Sequence, residues 1–345
     1  MKRLGASLAA LVLTTLGVAL AGGARAADEF YDGQTITYIV GTKPGGGYDT
    51  YARLIGRYLE RHLPGARVLV ENVPGAGHIV AANRLFASPP DGLTIGTFNT
   101  GLIYAQILDL EGVRFDLRDY DWIGKAASDP RVLVVGAESG IGSLADLAAP
   151  GEPKLFGTTG VGSASHNDMA VLATALGLNI KLVPGFSGQE IQLAILRGDI
   201  QGLLGSVSSV EEFVANGYGR MLVRLGGDDD PALAAVPEAG TLVADAELRA
   251  LLGVVRANAG LGRLTAAPPD VPEDRLSILR TAYRATLEDP DLLAEAERLG
   301  RPIDPSYGDE VASQIDAALS LPPDLVASLV AAIGCGEDVD CAPGD

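Results

Sequence analysis

Two patterns of hydrophobic residues, one typical of strands and one typical of helices, alternate along this chain. They predict strands separated by helices. The segment from Thr35 to Val40 is β-branched and aromatic and stops at a glycine, which predicts a buried strand. From Asp49 to His62 apolar residues recur at helical spacing, with Asp49 as the predicted N-cap. The same patterns predict strands over 68–70, 93–98, 132–135, 155–158, 180–183, 200–204 and 221–225, and helices over 79–86, 166–176 and 189–197, with a short helix after Gly101. This alternation indicates an α/β fold with parallel strand pairing.

The alternation starts again at Arg131, which predicts a second α/β domain. The chain after this block is helical over 273–288, 291–299 and 311–319, and it is predicted to pack back on the first domain. We therefore expect a discontinuous first domain of 27–125 and 254–345 and a second domain of 126–253. The two crossings between them, near Lys125 and Val254, would form a hinge.

The first 26 residues have the pattern of a secretory signal peptide. Lys2 and Arg3 precede an apolar run over 4–20, and a small-x-small motif ends at Ala26. A membrane anchor is the alternative, but glycine, serine and threonine dilute the run and no basic stop-transfer cluster follows. Cleavage after Ala26 removes three basic residues and takes the formal charge from -18 to -21. We expect a periplasmic protein, and no later run of about 20 apolar residues would insert the mature chain into a membrane.

Composition and charge exclude several classes of protein. The 345 residues are 47% hydrophobic, enough to bury large cores, and the charge of -18 would repel nucleic acid. Cys335 and Cys341 are the two cysteines of the chain and lie in a Gly/Asp/Pro-rich tail, where a small local disulfide could form. Two thiols alone do not make a metal site, and no cofactor is expected. With three histidines and neither a His-Glu-x-x-His nor a Gly-x-Ser-x-Gly motif, no enzyme is predicted.

Two glycine-rich loops at strand-to-helix junctions are the candidates for chemistry. The first, Lys43 to Asp49, would let backbone N–H groups approach an anion, and it lacks the ending of a P-loop. The second, Gly157 to His166, begins like a dinucleotide fingerprint but has Ser165 where the third glycine would stand. Each loop by itself is also explained as a tight turn. His166 follows Ser165 in the first turn of the predicted helix. A histidine in that position more often orders the loop by hydrogen bonding than activates a neighbouring serine.

Six short motifs occur in a fixed order along the two blocks of the chain. They are 39–53, 70–77 and 90–94 in the first block, and 160–166, 183–185 and 196–200 in the second. Together they resemble the substrate-binding proteins of tripartite tricarboxylate transporters, over about residues 35–299. The chain departs from that family's pattern at Tyr48, at His78 and across 183–188.

The resemblance implies a fold like that of type II periplasmic binding proteins, with two α/β domains, a ligand cleft and a crossover-strand hinge. The two loops would close on a small organic carboxylate, held by backbone amides, hydroxyls and bridging water, with Asp49 as a cap and acceptor. The implied ligand-binding residues are Gly45, Gly46, Gly47, Tyr48, Asp49, Asn99, Thr100, Gly101, Thr159, Gly160, Ser163, Ser165, His166, Ser187 and Ser206.

The implied function is a monomeric periplasmic receptor that delivers its ligand to membrane transporter subunits. One alternative is a binding protein that reports its ligand to a sensor kinase, because the sequence has no readable docking motif. An enzyme is the third possibility, and turnover of a ligand in the cleft would distinguish it.

Overall fold

The computed structural model describes residues 30–334 and arranges them around two β-sheets. The predicted signal peptide and the pair Cys335 and Cys341 lie outside the described residues. The fold is α/β, as predicted. One sheet is built from the early and late parts of the described chain, and the other is built from its middle.

The first sheet has six strands and packs against helices that come from the same early and late parts of the chain. The strands are β1 (Thr35–Val40), β2 (Arg67–Asn72), β3 (Thr94–Phe98), β4 (Asp121–Ala127), β10 (Gly262–Ala267) and β11 (Ser306–Tyr307). Their order in the sheet is β11-β4-β10-β3-β1-β2. The helices are α1 (Gly47–His62), α2 (Ile79–Phe86), α3 (Gly101–Ile107), α9 (Glu273–Leu287), α10 (Pro290–Arg298) and α11 (Gly308–Leu319).

The second sheet has five strands. They are β5 (Arg131–Gly136), β6 (Lys154–Gly157), β7 (Ile180–Val183), β8 (Gly202–Ser206) and β9 (Gly219–Leu225), in the order β7-β6-β8-β5-β9. The helices of this half are α4 (Leu144–Ala148), α5 (Ala164–Leu176), α6 (Gly188–Arg197), α7 (Val207–Ala215), α8 (Ala246–Ala259) and α12 (Pro323–Gly334).

Strand pairing is parallel in only part of each sheet. β1 pairs in parallel with β2 and β3, and β6 pairs in parallel with β7 and β8. In contrast, β10 runs antiparallel to β3 and β4, and β5 runs antiparallel to β8 and β9. The predicted parallel pairing thus holds for β1 with β2 and β3 and for β6 with β7 and β8, but not for β5 or for β4 and β10, two strands that the pattern did not reveal. β4 leads directly into β5 without an intervening helix, so no βαβ unit sets their direction.

The chain passes between the two sheets through two adjacent segments. It leaves the first sheet between Ala127 and Arg131 and returns to it between Ala259 and Gly262. The backbone N–H of Asp129 donates to the carbonyl of Ala259 at 2.6 Å, so the two crossings are hydrogen-bonded to each other. The second crossing thus lies at the end of α8, a few residues beyond the predicted one.

The late helices divide between the two sheets. α9 and α11 pack in the clusters of the first sheet, and α10 packs on Leu54 and Tyr58 of α1. The last helix differs, since Leu329, Ala332 and Ile333 share a buried cluster with α5, α8 and the second sheet. The predicted division, which gave all of 254–345 to the first domain, stays a prediction.

Within residues 30–334, no single helix is long and apolar enough to cross a membrane, and α11 and α12 reach that length only as a pair bent by 80°.

Candidate functional site

The second glycine-rich loop forms a compact cluster of hydroxyl groups at the start of α5. Ser163 is the N-cap of α5, and its hydroxyl donates to the carbonyl of Gly160 at 2.7 Å. Ser165 Oγ lies 3.0 Å from Thr159 Oγ1 and 3.1 Å from Ser163 Oγ, and it accepts from the backbone N–H of Thr159 at 3.0 Å. Three predicted site residues therefore present hydroxyls together, although Thr159 itself is exposed.

His166 is almost fully buried beneath this cluster. Its Nδ1 lies 3.2 Å from the hydroxyl of Thr158, and its Nε2 has no hydrogen-bond partner among the described residues. Burial lowers the pKa of His166, so the ring is neutral near pH 7. The contact with Thr158 fits the predicted role of ordering the loop.

The loop packs against the end of β3 and the start of α3. A Cβ added to Gly101 would lie 2.7 Å from the backbone nitrogen of Ala164 and 3.0 Å from the carbonyl oxygen of Gly162. Gly101 N–H donates to Asn99 Oδ1 at 2.8 Å, and the neighbouring Thr100 Oγ1 is buried with no partner among the described residues. Asn99 to Gly101 thus lie at the contact between the two halves, and their role in lining a cleft stays a prediction.

A second segment of the first half also touches this loop. A Cβ on Gly77 would lie 3.0 Å from the backbone nitrogen of Ser163. Gly77 belongs to a run of four residues, 75–78, with positive φ angles, two of which are not glycine. Such backbone costs free energy and occurs often at binding sites. His78, at the end of this run, accepts the backbone N–H of Asn99 on Nδ1 at 3.3 Å.

The first glycine-rich loop begins α1, but its capping differs from the prediction. Gly46, and not Asp49, is the N-cap. Asp49 lies in the first turn, is buried, and accepts the N–H of Gly45 at 2.9 Å, together with contacts from Arg53 and Asn72. Burial opposes ionisation, yet these hydrogen bonds outweigh it and lower the pKa of Asp49. The carboxylate therefore stabilises the loop, and its hydrogen-bonding capacity is already used by groups of the protein itself.

The first loop faces two helix starts of the second half. A Cβ on Gly45 would lie 3.9 Å from Gln189 Oε1, next to Ser187, which is the N-cap of α6. A Cβ on Gly47 would lie 3.4 Å from Ser209 Oγ, whose hydroxyl is 2.6 Å from that of Ser206 at the start of α7. Lys43 and Glu190 form an ion pair at 3.9 Å. Both predicted loops thus lie on one interface, each against a different part of the opposite half.

Sequence reasoning missed the charged residue beside the first loop. Arg263 is buried on β10, and its guanidinium carbon lies 4.2 Å from the ring centre of Tyr48 and 4.9 Å from that of Tyr51. A Cβ on Gly47 would be 3.1 Å from Arg263 Nη2. The only sequence signal was an arginine within a short stretch of small and apolar residues, which does not reveal its neighbours.

Arg263 is one end of a buried charge cluster at the crossings. Arg263 Nη1 lies 3.4 Å from Asp129 Oδ2, and Arg131 bonds the same carboxylate at 3.1 Å and Asp168 at 2.9 Å. Asp168 also accepts from the hydroxyl of Tyr104 at 2.8 Å. Two arginines and two aspartates balance in charge, so the cluster can be buried without a net charge.

Other features of the described residues do not indicate a reaction centre. The cavity of about 450 Å³ near the crossings is lined by Asp129, Ser208, Arg301 and neighbouring residues, on a side away from the second loop. Among residues 30–334, no group of three or more His, Cys, Asp or Glu side chains is placed to hold a metal ion.

The model of the tripartite tricarboxylate transporter family receptor matches residues 52–310. The chain belongs to this family. A UPF0065 protein of Pseudomonas sp. strain P51, from the tcbD-tcbE intergenic region, is 30% identical over 60% of this chain and 62% of its own length. The chain thus covers less than two thirds of that relative. A UPF0065 protein of Bordetella pertussis is 28% identical over 79% of this chain and 82% of its own length.

Solved structures of periplasmic binding proteins share the fold of this family member. The periplasmic binding protein BugD has a TM-score of 0.72 at 18% identity, covering 87% of this chain and 98% of its own. MatC of Rhodopseudomonas palustris with bound malate has a TM-score of 0.70 at 22% identity, covering 85% and 99%. R. palustris Rpa4515 with adipate has a TM-score of 0.70 at 20% identity, covering 87% and 97%. The predicted family and the periplasmic-binding-protein fold are confirmed. Family and fold are those of solute-binding receptors, which are not enzymes.

Proposed function

We propose that this receptor captures a small organic carboxylate between its two halves in the periplasm and delivers it to the membrane subunits of a tripartite transporter. Helices α1, α5, α6 and α7 all begin on the interface between the halves, and helix N-termini favour anions. Malate and adipate occupy the two related structures described above, and both are carboxylates. A chain of net charge -18 has no attractive overall field for an anion, so capture depends on such local donors.

One observation carries this proposal. Thr100 Oγ1 and His166 Nε2 are buried polar atoms without partners in the described part of the chain, and they lie on the two sides of the contact between α3 and α5. Leaving a buried polar atom unsatisfied costs about 1 to 3 kcal/mol. A carboxylate bound beside this contact would give both atoms a partner. The hydroxyl of Ser165 would add one more donor from the same loop, and Ser163 Oγ, whose proton is donated to Gly160, holds Ser165 in place through the contact between the two hydroxyls.

The test is calorimetry of the purified receptor with malate, succinate, adipate and benzoate. We expect at least one of these acids to bind, and Ser165→Ala to weaken that acid roughly ten- to a hundred-fold, as for the loss of one hydrogen bond to a charged group. Ser163→Ala should do the same. Because Ser163 is also a helix cap, Ser143→Ala serves as its control, since Ser143 caps α4 with a similar hydrogen bond.

Binding of no acid by the parent protein would contradict the proposal. So would equal affinity of the parent and the two loop variants, provided circular dichroism shows each variant folded. The control Ser143→Ala should lose stability like Ser163→Ala but keep the parent's affinity.

We propose in addition that the receptor is a monomer and that it delivers its ligand to the membrane subunits. The proposed domains are 27–125 with 254–345, and 126–253. Removal of the signal peptide after Ala26, which lies outside the described residues, would be checked by the intact mass of exported protein. The rival role of a sensor has no support from the family match, which is to a transporter receptor.

A further inference from the structure

Arg263 is a buried cation whose hydrogen-bonding capacity is only partly used. Its side chain is 4% exposed, and Nη1 lies near Asp129. Nε and Nη2 are buried and have no hydrogen-bond partner among residues 30–334. These two nitrogens form one side edge of the guanidinium, where two N–H groups point in the same direction. That edge matches the two oxygens of a carboxylate.

One side of this edge lies at the interface between the halves. The rings of Tyr48 and Tyr51 contact the guanidinium and hold its plane. On the Nη2 side lies Gly47, where a Cβ would be crowded, at 3.1 Å from Nη2 and 3.4 Å from Ser209 Oγ, so the guanidinium, the first loop and Ser209 lie within contact distance of one another. Ser209 belongs to the opposite half of the protein. An anion bound to Nη2 beside Gly47 would therefore touch both halves.

The backbone of Arg263 adds a second, independent observation. Its φ angle is +58°, in the left-handed region that residues other than glycine seldom adopt. Strained backbone of this kind is common at binding sites. Arg131 Nη1 lies 3.1 Å from Asp129 Oδ2, compared with 3.4 Å for Arg263 Nη1, and Arg131 also pairs with Asp168. Arg263 therefore has fewer carboxylates near its charge than Arg131 has. Burial opposes its charge, but Asp129 and the phenols of Tyr48 and Tyr51 more than compensate and raise the pKa of Arg263.

We propose that the Nε and Nη2 edge of Arg263 binds a carboxylate group of the receptor's ligand, with Ser209 and the loop at Gly47 closing around it. This rests on the proposed function and deepens it, because it requires at least one ionised carboxylate on the ligand. The second loop supplies neutral donors and a helix N-terminus, whereas Arg263 supplies a full positive charge. A ligand whose carboxylate is converted to an amide loses the match, since an amide offers one acceptor oxygen.

The experiment uses the full-length mature protein and the tightest-binding member of the panel of malate, succinate, adipate and benzoate. Calorimetry compares that acid and its monoamide, or benzamide for benzoate, in the parent and in Arg263→Gln. We expect the parent to prefer the acid, and Arg263→Gln to bind the acid roughly ten- to a hundred-fold more weakly with little change for the amide. A merely structural role would weaken acid and amide alike. Arg263→Lys keeps the charge but loses the edge, and it should recover only part of the affinity.

A second pair of variants leaves Arg263 and its ion pair intact. Gly47→Ala places a methyl group against Nη2 and should weaken binding of the same acid. Gly253→Ala, at a helical glycine inside α8 that meets nothing within 4 Å, should bind as the parent does.

An acid preference unchanged in folded Arg263→Gln would overturn this inference while leaving the proposed function in place. If Arg263→Gln does not fold, parent-like affinity in Gly47→Ala overturns it instead. Failure of the parent to bind any acid of the panel would count against the proposed function itself.

Discussion

At the scale of single residues, His78 shows how strongly the interface changes ordinary side-chain chemistry. Its ring is buried, lies edge-on to Tyr48 with centroids 5.2 Å apart, and fills the space beside Gly41. Burial, together with the nearby charge of Arg263, lowers the pKa of His78 to about 3. The imidazole is therefore neutral at physiological pH, which lets Nδ1 accept the N–H of Asn99.

This shift predicts a pH dependence of stability. Between pH 6.5 and about 3 the unfolded chain takes up a proton on His78 that the folded chain does not, so stability is present above pH 6.5 and falls as the pH decreases. From pH 7 to pH 5 the loss from this group is about 2 kcal/mol. His78→Asn keeps an acceptor and tolerates the positive φ, and should reduce the loss by that amount. Urea unfolding at both pH values measures it, and an unchanged pH dependence in the variant would show that His78 does not titrate this way.

At the scale of elements, the last helix decides how the two halves are tied together. α11 packs against the first sheet, yet α12, which follows it directly, packs on α5 and α8 of the second half. Leu329 is fully buried in that cluster, whereas its neighbour Val330 is 48% exposed. A helix at the end of the chain thus contributes to the core on the far side of the crossings.

Truncation of Leu329 should therefore be costly although it lies close to the end of the described chain. We expect Leu329→Ala to reduce the free energy of unfolding by about 2 to 5 kcal/mol through lost burial and the cavity left behind. Val330→Ala is the control and should change it by less than about 0.5 kcal/mol. Urea unfolding followed by circular dichroism provides the measurement. Equal effects of the two substitutions would mean that α12 does not pack as described.

At the scale of the whole molecule, the halves are linked by the two adjacent crossings and by the short connection between α11 and α12, and so few links favour a hinged closure. The crossings are hydrogen-bonded through Asp129 and Ala259, and the contacts made by Gly77 and Gly101 bring the halves together at backbone distance. Closure of this kind is a rigid-body motion about a few residues. Small side chains at the contact are what allow the halves to approach so closely.

Closure should be prevented by a single methyl group at this contact. Gly101→Ala favours the helix at that position, but its Cβ would lie 2.7 Å from the backbone nitrogen of Ala164. We expect the parent to become more compact in small-angle scattering when it is saturated with a bound carboxylate, and Gly101→Ala to stay expanded and to bind more weakly. Gly253→Ala, in α8 with nothing within 4 Å, is the control and should compact like the parent. A parent whose radius of gyration does not change on binding would argue against hinged closure.

The sequence by itself determined most of the local structure, because hydrophobic periodicity reports which face of an element is buried. β1, β7 and α2 have the predicted bounds, whereas α5 and α6 begin two residues and one residue before their predicted starts at His166 and Gln189. The two glycine-rich loops could be found for the same reason, since glycine at a strand-to-helix junction has a local conformational meaning.

Only the tertiary structure decided what cannot be read from near neighbours along the chain. β10 carries a buried arginine that pattern reading assigns to the surface, and it is buried because Asp129, Tyr48 and Tyr51 reach it from distant positions. The direction of β4, β5 and β10 follows from the crossings between the sheets. The opposition of Gly101 to Ala164, and of Gly47 to Ser209, depends on how the two halves meet. These pairings set the chemistry of the site because charge and hydrogen bonding act through space, whereas periodicity acts along the chain.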